Sequence, residues 1–368
     1  MKPIRYAVIG SGWRAEFYAR IAQKLPDQFN LCMLLCRTEE KAARLRQELA
    51  VPASTREEDV ISSRPDFLVS AVSKVNMTDT VIYWMKKGFP VLSETPAGLD
   101  FSRLEELWAL TQKSGCRMQV AEQYWLYPSW DAKIRLLQSG ILGDSVSVHL
   151  SAMHDYHAAS IIRHLLGTGL EEVQLTGKTF SLPVTDTRTR YAVLTDGAIS
   201  QKDERHVILE YESRKTAFYD FLSDQYRSPI RNRTATIRGT RGEIIGDTVY
   251  YLDGQNLARQ ETIQSRQDPA SGEILSITFN GESLYTPVFG PCGLPEDETA
   301  IARLLLGMKE YVDTGREIYP MAEALEDAYI GSLMNQISPE KWYSSATEPR
   351  PWKAGILQKS TTMHTGGQ

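Results

Sequence analysis

A short apolar run, Tyr6-Ala7-Val8-Ile9, stops at Gly10-Ser11-Gly12 and continues as Trp13-Arg14-Ala15. The run reads as a buried strand, and a strand that ends in Gly-x-Gly before a helix-forming segment is compatible with few folds. Gly10 permits the tight turn, and Gly12 lets backbone come close to a phosphate. The N-terminus of the helix that follows supplies free N–H groups and a positive dipole end. Ala15 stands where this dinucleotide-binding pattern tolerates a small residue. An ordinary strand–turn–helix connection would carry the same glycines, so the surrounding chain has to decide.

It decides through alternation. Helical patterns at 16–25, 39–49, 77–87 and 101–114 are interleaved with apolar runs at 29–36, 66–72, 90–93 and 116–121, and Gly88 closes the third helix. Strands alternating with helices of this length predict a parallel, doubly wound sheet, with ligands at the C-terminal strand ends. After Glu122 the pattern changes. A helix is expected at 132–138 and a strand at 146–153. Short β-branched or alternating runs at 207–211, 216–222, 235–238, 243–245 and 248–252 predict a mostly antiparallel sheet. The polar stretch 255–272 is expected as an exposed loop, and 299–311 and 321–337 as amphipathic helices. The expected division is a dinucleotide-binding domain over 1–122, an α+β substrate and oligomerisation domain over 123–345, and a frayed tail over 346–368.

The length of 368 residues exceeds what one hydrophobic core sustains, in keeping with two domains. A net charge of −5 offers no basic field for nucleic acid, and no apolar run reaches the length of a membrane span. The N-terminus leads directly into a strand, without a signal-peptide pattern. Cys32, Cys36, Cys116 and Cys292 show no CxxC spacing and read as reduced thiols of a cytoplasmic protein.

The fourth expected strand ends in Ser93-Glu94-Thr95-Pro96. A strand ending in Glu-x-Pro before a helix, on a chain that opens with Gly-x-Gly, resembles the Gfo/Idh/MocA oxidoreductase family. Gln138-Ser139-Gly140-Ile141-Leu142-Gly143 is similar to the family's turn before the first strand of the large domain, and 296–315 to its late helix. The resemblance therefore covers nearly the whole chain. It implies α/β architecture, with an N-terminal Rossmann domain and a C-terminal α/β domain on an open, mostly antiparallel sheet. It further implies NAD(P)-dependent oxidoreduction of a sugar, cyclitol or related small carbonyl or alcohol, in a homodimer or homotetramer. Three positions depart from the family. Thr95 replaces its lysine. Ser160 replaces the aspartate of Asp-x-x-x-His, with His164 as the retained histidine. Val72-Ser73-Lys74 replaces Thr-Pro-Asn, which adds a cation at a strand end.

The resemblance makes His164 the expected proton shuttle, since an unperturbed imidazole titrates near pH ~6.5. His157 or Tyr156 would assist it, and Thr95 and Lys74 would orient the substrate or polarise its oxygen. His154-Asp155-Tyr156-His157 gathers groups for proton relay or hydroxyl binding. With His149 or His164 it also contains metal-ligand types, although clusters of this size more often hold none, and no metal is expected. Gly10, Ser11, Gly12, Trp13, Arg14, Val72, Ser73, Glu94, Thr95, Pro96 and Gln123 are the expected cofactor contacts. Tyr124-Trp125-Leu126-Tyr127 serves either ring stacking in the cleft or packing between domains. The second strand ends in Cys36-Arg37-Thr38 without the carboxylate that holds a ribose 2′-hydroxyl, so Arg37 and Thr38 favour NADP over NAD. Three other readings remain: an imine reductase, a nicotinamide-assisted lyase or glycosidase, and a non-catalytic dinucleotide-binding regulator.

Overall fold

The computed structural model describes residues 2–115 and 117–354. Its first third alternates as the sequence predicts: β1 (Ile4–Ile9), α1 (Trp13–Lys24), β2 (Phe29–Leu35), α2 (Glu39–Leu49), β3 (Ala53–Ser54), α3 (Glu57–Ser62), β4 (Phe67–Ser70), α4 (Lys74–Lys86), β5 (Val91–Ser93), α5 (Phe101–Ser114) and β6 (Met118–Val120). The six strands form one parallel sheet in the order β3-β2-β1-β4-β5-β6. Helices cover both faces, so Tyr6, Ala7, Val8, Phe67, Leu68 and Val69 are fully buried. This is why β1 and β4 read as continuous apolar runs. The strand order reverses between β1 and β4, which places a crevice at their C-terminal ends. Sequence reading omits β3 and α3, since a two-residue edge strand carries no periodicity.

A short 3-10 turn, Tyr124–Leu126, leads into α6 (Pro128–Gln138), β7 (Ser145–Ser151), α7 (Asp155–Leu166), β8 (Val173–Thr185), β9 (Ile199–Tyr211), β10 (Thr216–Leu222), β11 (Thr234–Gly239), β12 (Gly242–Ile245), β13 (Thr248–Leu252), β14 (Ala258–Thr262), β15 (Gln264–Gln267), β16 (Ile274–Phe279), β17 (Glu282–Tyr285), α8 (Glu296–Thr314), α9 (Met321–Asn335) and β18 (Tyr343–Ala346). Nine strands form a mixed sheet, β14-β13-β12-β11-β7-β10-β9-β8-β18, antiparallel except where β7 meets β10. One face packs against helices. The other is open: His149, Phe218 and Ile208 lie side by side across three strands, and the two apolar ones are 42% and 38% exposed.

The stretch 255–272 is not a loop; it carries β14 and β15. Every residue of β14 and β15 is exposed, so no inward-facing set marks them as strands. β9 runs for 13 residues, well past the five read as strand, because its first half is polar; β8, also 13 residues long, is not among the strands read from the sequence. Residues 346–354, expected within a tail, are anchored. Trp352 is fully buried against Phe101 of α5 and Tyr329 of α9, and Arg350 binds Glu326. The rest of that stretch, 355–368, lies outside the described residues, as does Cys116.

Candidate active site at the strand switch

The nucleotide turn is built on two different glycines. Gly10 has φ +132°, and a Cβ there would stand 2.3 Å from the Ala71 carbonyl oxygen, so only glycine lets β1 and β4 close at the switch. Gly12 caps α1 in ordinary extended backbone, and a Cβ there would meet nothing within 4 Å. That free space at a helix N-terminus is what close approach of a pyrophosphate requires. Ser11 sits beside the Cys36 thiol, joining the turn to the end of β2. Arg37 and Thr38 follow there, both exposed, with Thr38 Oγ1 accepting from Lys41 N (3.4 Å) as the N-cap of α2.

Arg14 turns inward from the start of α1. Its Nε lies 3.4 Å from buried Glu94, which also accepts from the Tyr18 hydroxyl (2.7 Å). With its amide set to satisfy both neighbours, Gln123 accepts from Arg14 Nη2 (3.0 Å) and donates to Ala121 O (2.7 Å). Glu94, Arg14 and Gln123 thus tie three elements together beneath the crevice. Arg14 Nη1 is buried with no hydrogen-bond partner among the described residues, a donor still to be satisfied. Open space at Gly12 and an unsatisfied guanidinium below it fit a bound dinucleotide. Thr95 and Pro96 follow Glu94 through a cis peptide bond. Trp13 packs edge-on against Phe17.

The proton-carrying groups meet where α7 begins. Val72 and Ser73 lead from β4 into α4, where Ser73 Oγ accepts from Asn76 Nδ2 (2.9 Å). The Lys74 Nζ lies 5.2 Å from the centre of the Tyr156 ring. Thr95 is within hydrogen-bonding reach of the Tyr156 hydroxyl, which lies 3.1 Å from His154 Nε2. His154 Nδ1 lies 2.6 Å from the Tyr226 hydroxyl, which in turn pairs with Tyr124. A continuous line therefore runs Thr95, Tyr156, His154, Tyr226, Tyr124. Behind it, His157 Nδ1 lies 2.6 Å from Glu122 Oε2, and Glu122 Oε1 accepts from Tyr124 N.

Burial sets the protonation of these groups. It pushes His154 down to about 3, helped by the neighbouring His157, and His157 well below the usual imidazole range. The same desolvation pushes Glu122 well above the usual carboxylate range and raises the Tyr156 phenol. All four groups are therefore held toward their neutral forms near pH 7. Helix α7 is fixed from below by buried Arg163, which pairs with Asp327 and Glu323 of α9. At Gly331 a Cβ would stand 2.7 Å from Tyr156 N, so α9 touches the backbone that carries the phenol.

The structure brings Tyr156, Thr95 and Lys74 together and sets His157 just behind them. It does not bring His164 to them. Seven residues past His157 on the same helix, His164 is displaced by about 10 Å along the axis. Its Nδ1–H donates to Ser160 O (2.8 Å), and its ring packs in a three-ring cluster with Trp125 (5.3 Å) and Tyr319 (5.7 Å). Burial lowers its affinity for a proton as well. Sequence reading missed Glu122 and Tyr226. Glu122 was legible as a carboxylate just past the end of β6; Tyr226 has no local signature. Among the described residues, no group of three or more His, Cys, Asp or Glu side chains is arranged to hold a metal ion.

A parallel sheet with its glycine turn at the strand switch, joined to an open antiparallel sheet, defines a two-domain dinucleotide-binding oxidoreductase fold. Residues 4–122 match the family model GFO_IDH_MocA, described as "Oxidoreductase family, NAD-binding Rossmann fold", so the N-terminal domain is similar to that of the Gfo/Idh/MocA oxidoreductases. That description makes this domain one that binds a nicotinamide dinucleotide of the NAD kind. No curated protein matches the sequence. Among solved structures, the chain is similar to biliverdin reductase from Synechocystis, in complex with biliverdin and NADP+, at 14% identity and TM-score 0.61, covering 91% of this chain and 98% of that one. It is similar to an oxidoreductase from Agrobacterium radiobacter, in complex with NAD+, L-tartaric acid and magnesium, at 13% identity and TM-score 0.65 (92% and 98%). It is also similar to a UDP-N-acetylglucosamine 3-dehydrogenase from Acidithiobacillus ferrooxidans, at 14% and 0.61 (92% and 97%). At these identities the likeness is one of fold.

Proposed function

We propose that this chain is an NADP-preferring oxidoreductase acting on a small carbonyl or alcohol, of the sugar or cyclitol kind, with Tyr156 as the group that exchanges the substrate proton. The observation that carries this is the hydrogen-bonded line from Thr95 through Tyr156 and His154 to Tyr226, set where the Rossmann strands end. The match of residues 4–122 to an oxidoreductase family model supports the reaction class. The absence of a carboxylate in Cys36-Arg37-Thr38 supports the preference for NADP.

Gly10, Ser11, Gly12 and Trp13 would hold the pyrophosphate end of the cofactor; Val72, Ser73, Thr95, Pro96 and Gln123 border its path across the strand ends, with Arg14 and Glu94 fixed beneath. A bound nicotinamide supplies or accepts the hydride. In the reductive direction the Tyr156 hydroxyl donates its proton to the substrate oxygen. Thr95 orients that hydroxyl, and exposed Lys74 sets a cation beside it. His154 Nε2–H returns a proton to Tyr156 as Nδ1 accepts one from the Tyr226 hydroxyl, and Tyr226 regains its proton from water in the cavity it lines. Because one proton enters His154 as another leaves, the ring stays neutral throughout. The His157–Glu122 pair supports this arrangement from behind, and His164 braces Trp125 and Tyr319.

Two substitutions separate the assignments. Tyr156→Phe should lower kcat by about 10²–10⁴-fold, the usual contribution of one general acid, with cofactor affinity unchanged. His164→Ala should alter kcat by far less. Equal losses in the two variants, or none in Tyr156→Phe, would remove Tyr156 from the role. The open face of the nine-stranded sheet, with Phe218 and Ile208 exposed at its centre, supports self-association into a homodimer or homotetramer. Light scattering on Phe218→Lys tests that assembly.

A further inference from the structure

Five arginines line one cavity of about 470 Å³ on the C-terminal domain. Arg188 and Arg190 come from the connection between β8 and β9; Arg227, Arg231 and Arg233 come from the connection between β10 and β11. The wall between this basin and the proton-carrying line is Tyr226, whose hydroxyl lies 2.6 Å from His154 Nδ1. No carboxylate is among the residues that line it. The acidic residues flanking the two connections do not neutralise the arginines either: Asp186 and Asp224 both face Lys202, at 2.8 and 3.7 Å. Elsewhere in the chain Arg20, Arg103, Arg205 and Arg350 each bind a carboxylate. Among the described residues, only Arg233 of the five faces a carboxylate across its other side, the buried Glu296, so the basin concentrates cations with little internal balance on a chain whose net charge is −5. Grouped like charges repel one another, and a bound anion relieves that repulsion. The arginine side that faces the Rossmann domain is anchored to the cofactor turn, since the Arg190 guanidinium lies 4.4 Å above the Trp13 ring.

We propose that this basin is the subsite for an anionic group of the substrate, a carboxylate or a phosphate, so that the enzyme acts on acidic oxo or hydroxy compounds. The planar guanidinium fork suits either oxyanion through paired N–H donors. The inference rests on the catalytic line proposed above, because Tyr226 connects the two. The substrate's acid group occupies the basin, and its reacting carbon reaches toward Tyr156.

The test measures binding rather than turnover, so it stands apart from the reaction itself. Full-length protein saturated with NADPH is titrated calorimetrically with citrate and, separately, with inorganic pyrophosphate, as wild type and as Arg227→Gln/Arg231→Gln. NADPH affinity and thermal midpoint are measured in parallel. The expected result is saturable binding of at least one anion, weakened 10-fold or more in the double variant, with NADPH affinity within twofold and an unchanged midpoint. The arm that binds tells a carboxylate subsite from a phosphate one. Equal anion affinity in both proteins, or binding of neither anion, overturns the proposal. A parallel loss of NADPH affinity also overturns it, by assigning the arginines to the cofactor's phosphates. Anion binding that follows prediction in a protein that transfers no hydride leaves the basin in place and removes the oxidoreductase assignment instead.

Discussion

The two glycines of the nucleotide turn should fail in opposite ways when given a methyl group. In Gly10→Ala, the Cβ lies 2.3 Å from the Ala71 carbonyl oxygen, more than 1 Å inside ordinary contact by the ~3.4 Å spacing of packed atoms. Neither side can withdraw, because Gly10 N donates to Leu35 O (3.0 Å) and Ala71 N donates to Ile9 O (2.9 Å). The φ of +132° adds strain of about 1–3 kcal/mol for any L-residue. Together these amount to roughly 3–5 kcal/mol, within the range of severe single substitutions. At about 2–4 °C per kcal/mol for a chain of this class, the thermal midpoint should fall by about 6–20 °C. Gly12→Ala meets no atom within 4 Å and sits at φ −87°. Its gain of about 0.4–1 kcal/mol from a stiffer unfolded chain is offset by a poorer N-cap, so the midpoint should stay within about 2 °C. The same methyl occupies the space a pyrophosphate needs, and NADPH affinity should fall about 30-fold, or ~2 kcal/mol. Scanning calorimetry with a parallel NADPH fluorescence titration reads both. A Gly12→Ala protein that binds NADPH like the wild type would refute the placement of the cofactor.

Acidification should weaken the fold through the buried histidines. The unfolded chain takes up protons near pH 6.5, whereas folded His154 does so only near 3 and folded His157 also lies well below its usual range. Through these two groups the unfolded state binds more protons across that window, a loss of about 1.4 kcal/mol per pH unit per histidine as pH drops. Buried Glu122, held protonated, has the opposite sign, so the histidine contribution is read by urea unfolding of wild type and His154→Gln at pH 7 and pH 5: the wild type should lose more stability on acidification than the variant, and equal changes in the two proteins would contradict the neutral assignment. Trp352→Ala should cost about 3–5 kcal/mol, since the ring is fully buried and its Nε1–H donates to Glu326 (2.8 Å); denaturant midpoints would show it. Arg37→Ala should weaken NADPH about 10-fold, ~1.4 kcal/mol, and leave NADH unchanged. Equal effects on both cofactors would mean that Arg37 does not read the 2′-phosphate.

The Rossmann domain was legible because a parallel sheet buried on both faces leaves unbroken apolar runs, and because a backbone near-contact such as Gly10 to Ala71 admits one residue only. The outer half of β9 and all of β14 were opaque for the complementary reason. Their side chains face solvent, and pairing between backbones leaves no trace in side-chain type. Thr95, Lys74 and Tyr156 could be named in advance because each lies in or near a motif. Their convergence could not, since it depends on α7 being seated on α9 through Arg163 and Gly331. The move of the proton-exchanging role from His164 to Tyr156 turned on the same geometry. His157 and His164 lie on one face of α7, and sequence spacing alone does not say which turn of that helix, the one with Tyr156 or the one with His164, meets the strand ends. The arginines of the β8–β9 and β10–β11 connections share a cavity only through the sheet, so no local pattern joined them.

The central claim is that a nicotinamide held at the Gly10–Gly12 turn exchanges hydride with a substrate whose proton passes through Tyr156. Deuterium transfer from NADPH labelled at C4 tests it most directly, followed by mass spectrometry across acidic oxo compounds with the wild type and Tyr156→Phe. Label should appear on the substrate carbon with the wild type, and the same product should form about 10²–10⁴ times more slowly with Tyr156→Phe. Tight NADPH binding with no label moved to any compound, or equal rates in the two proteins, would contradict it.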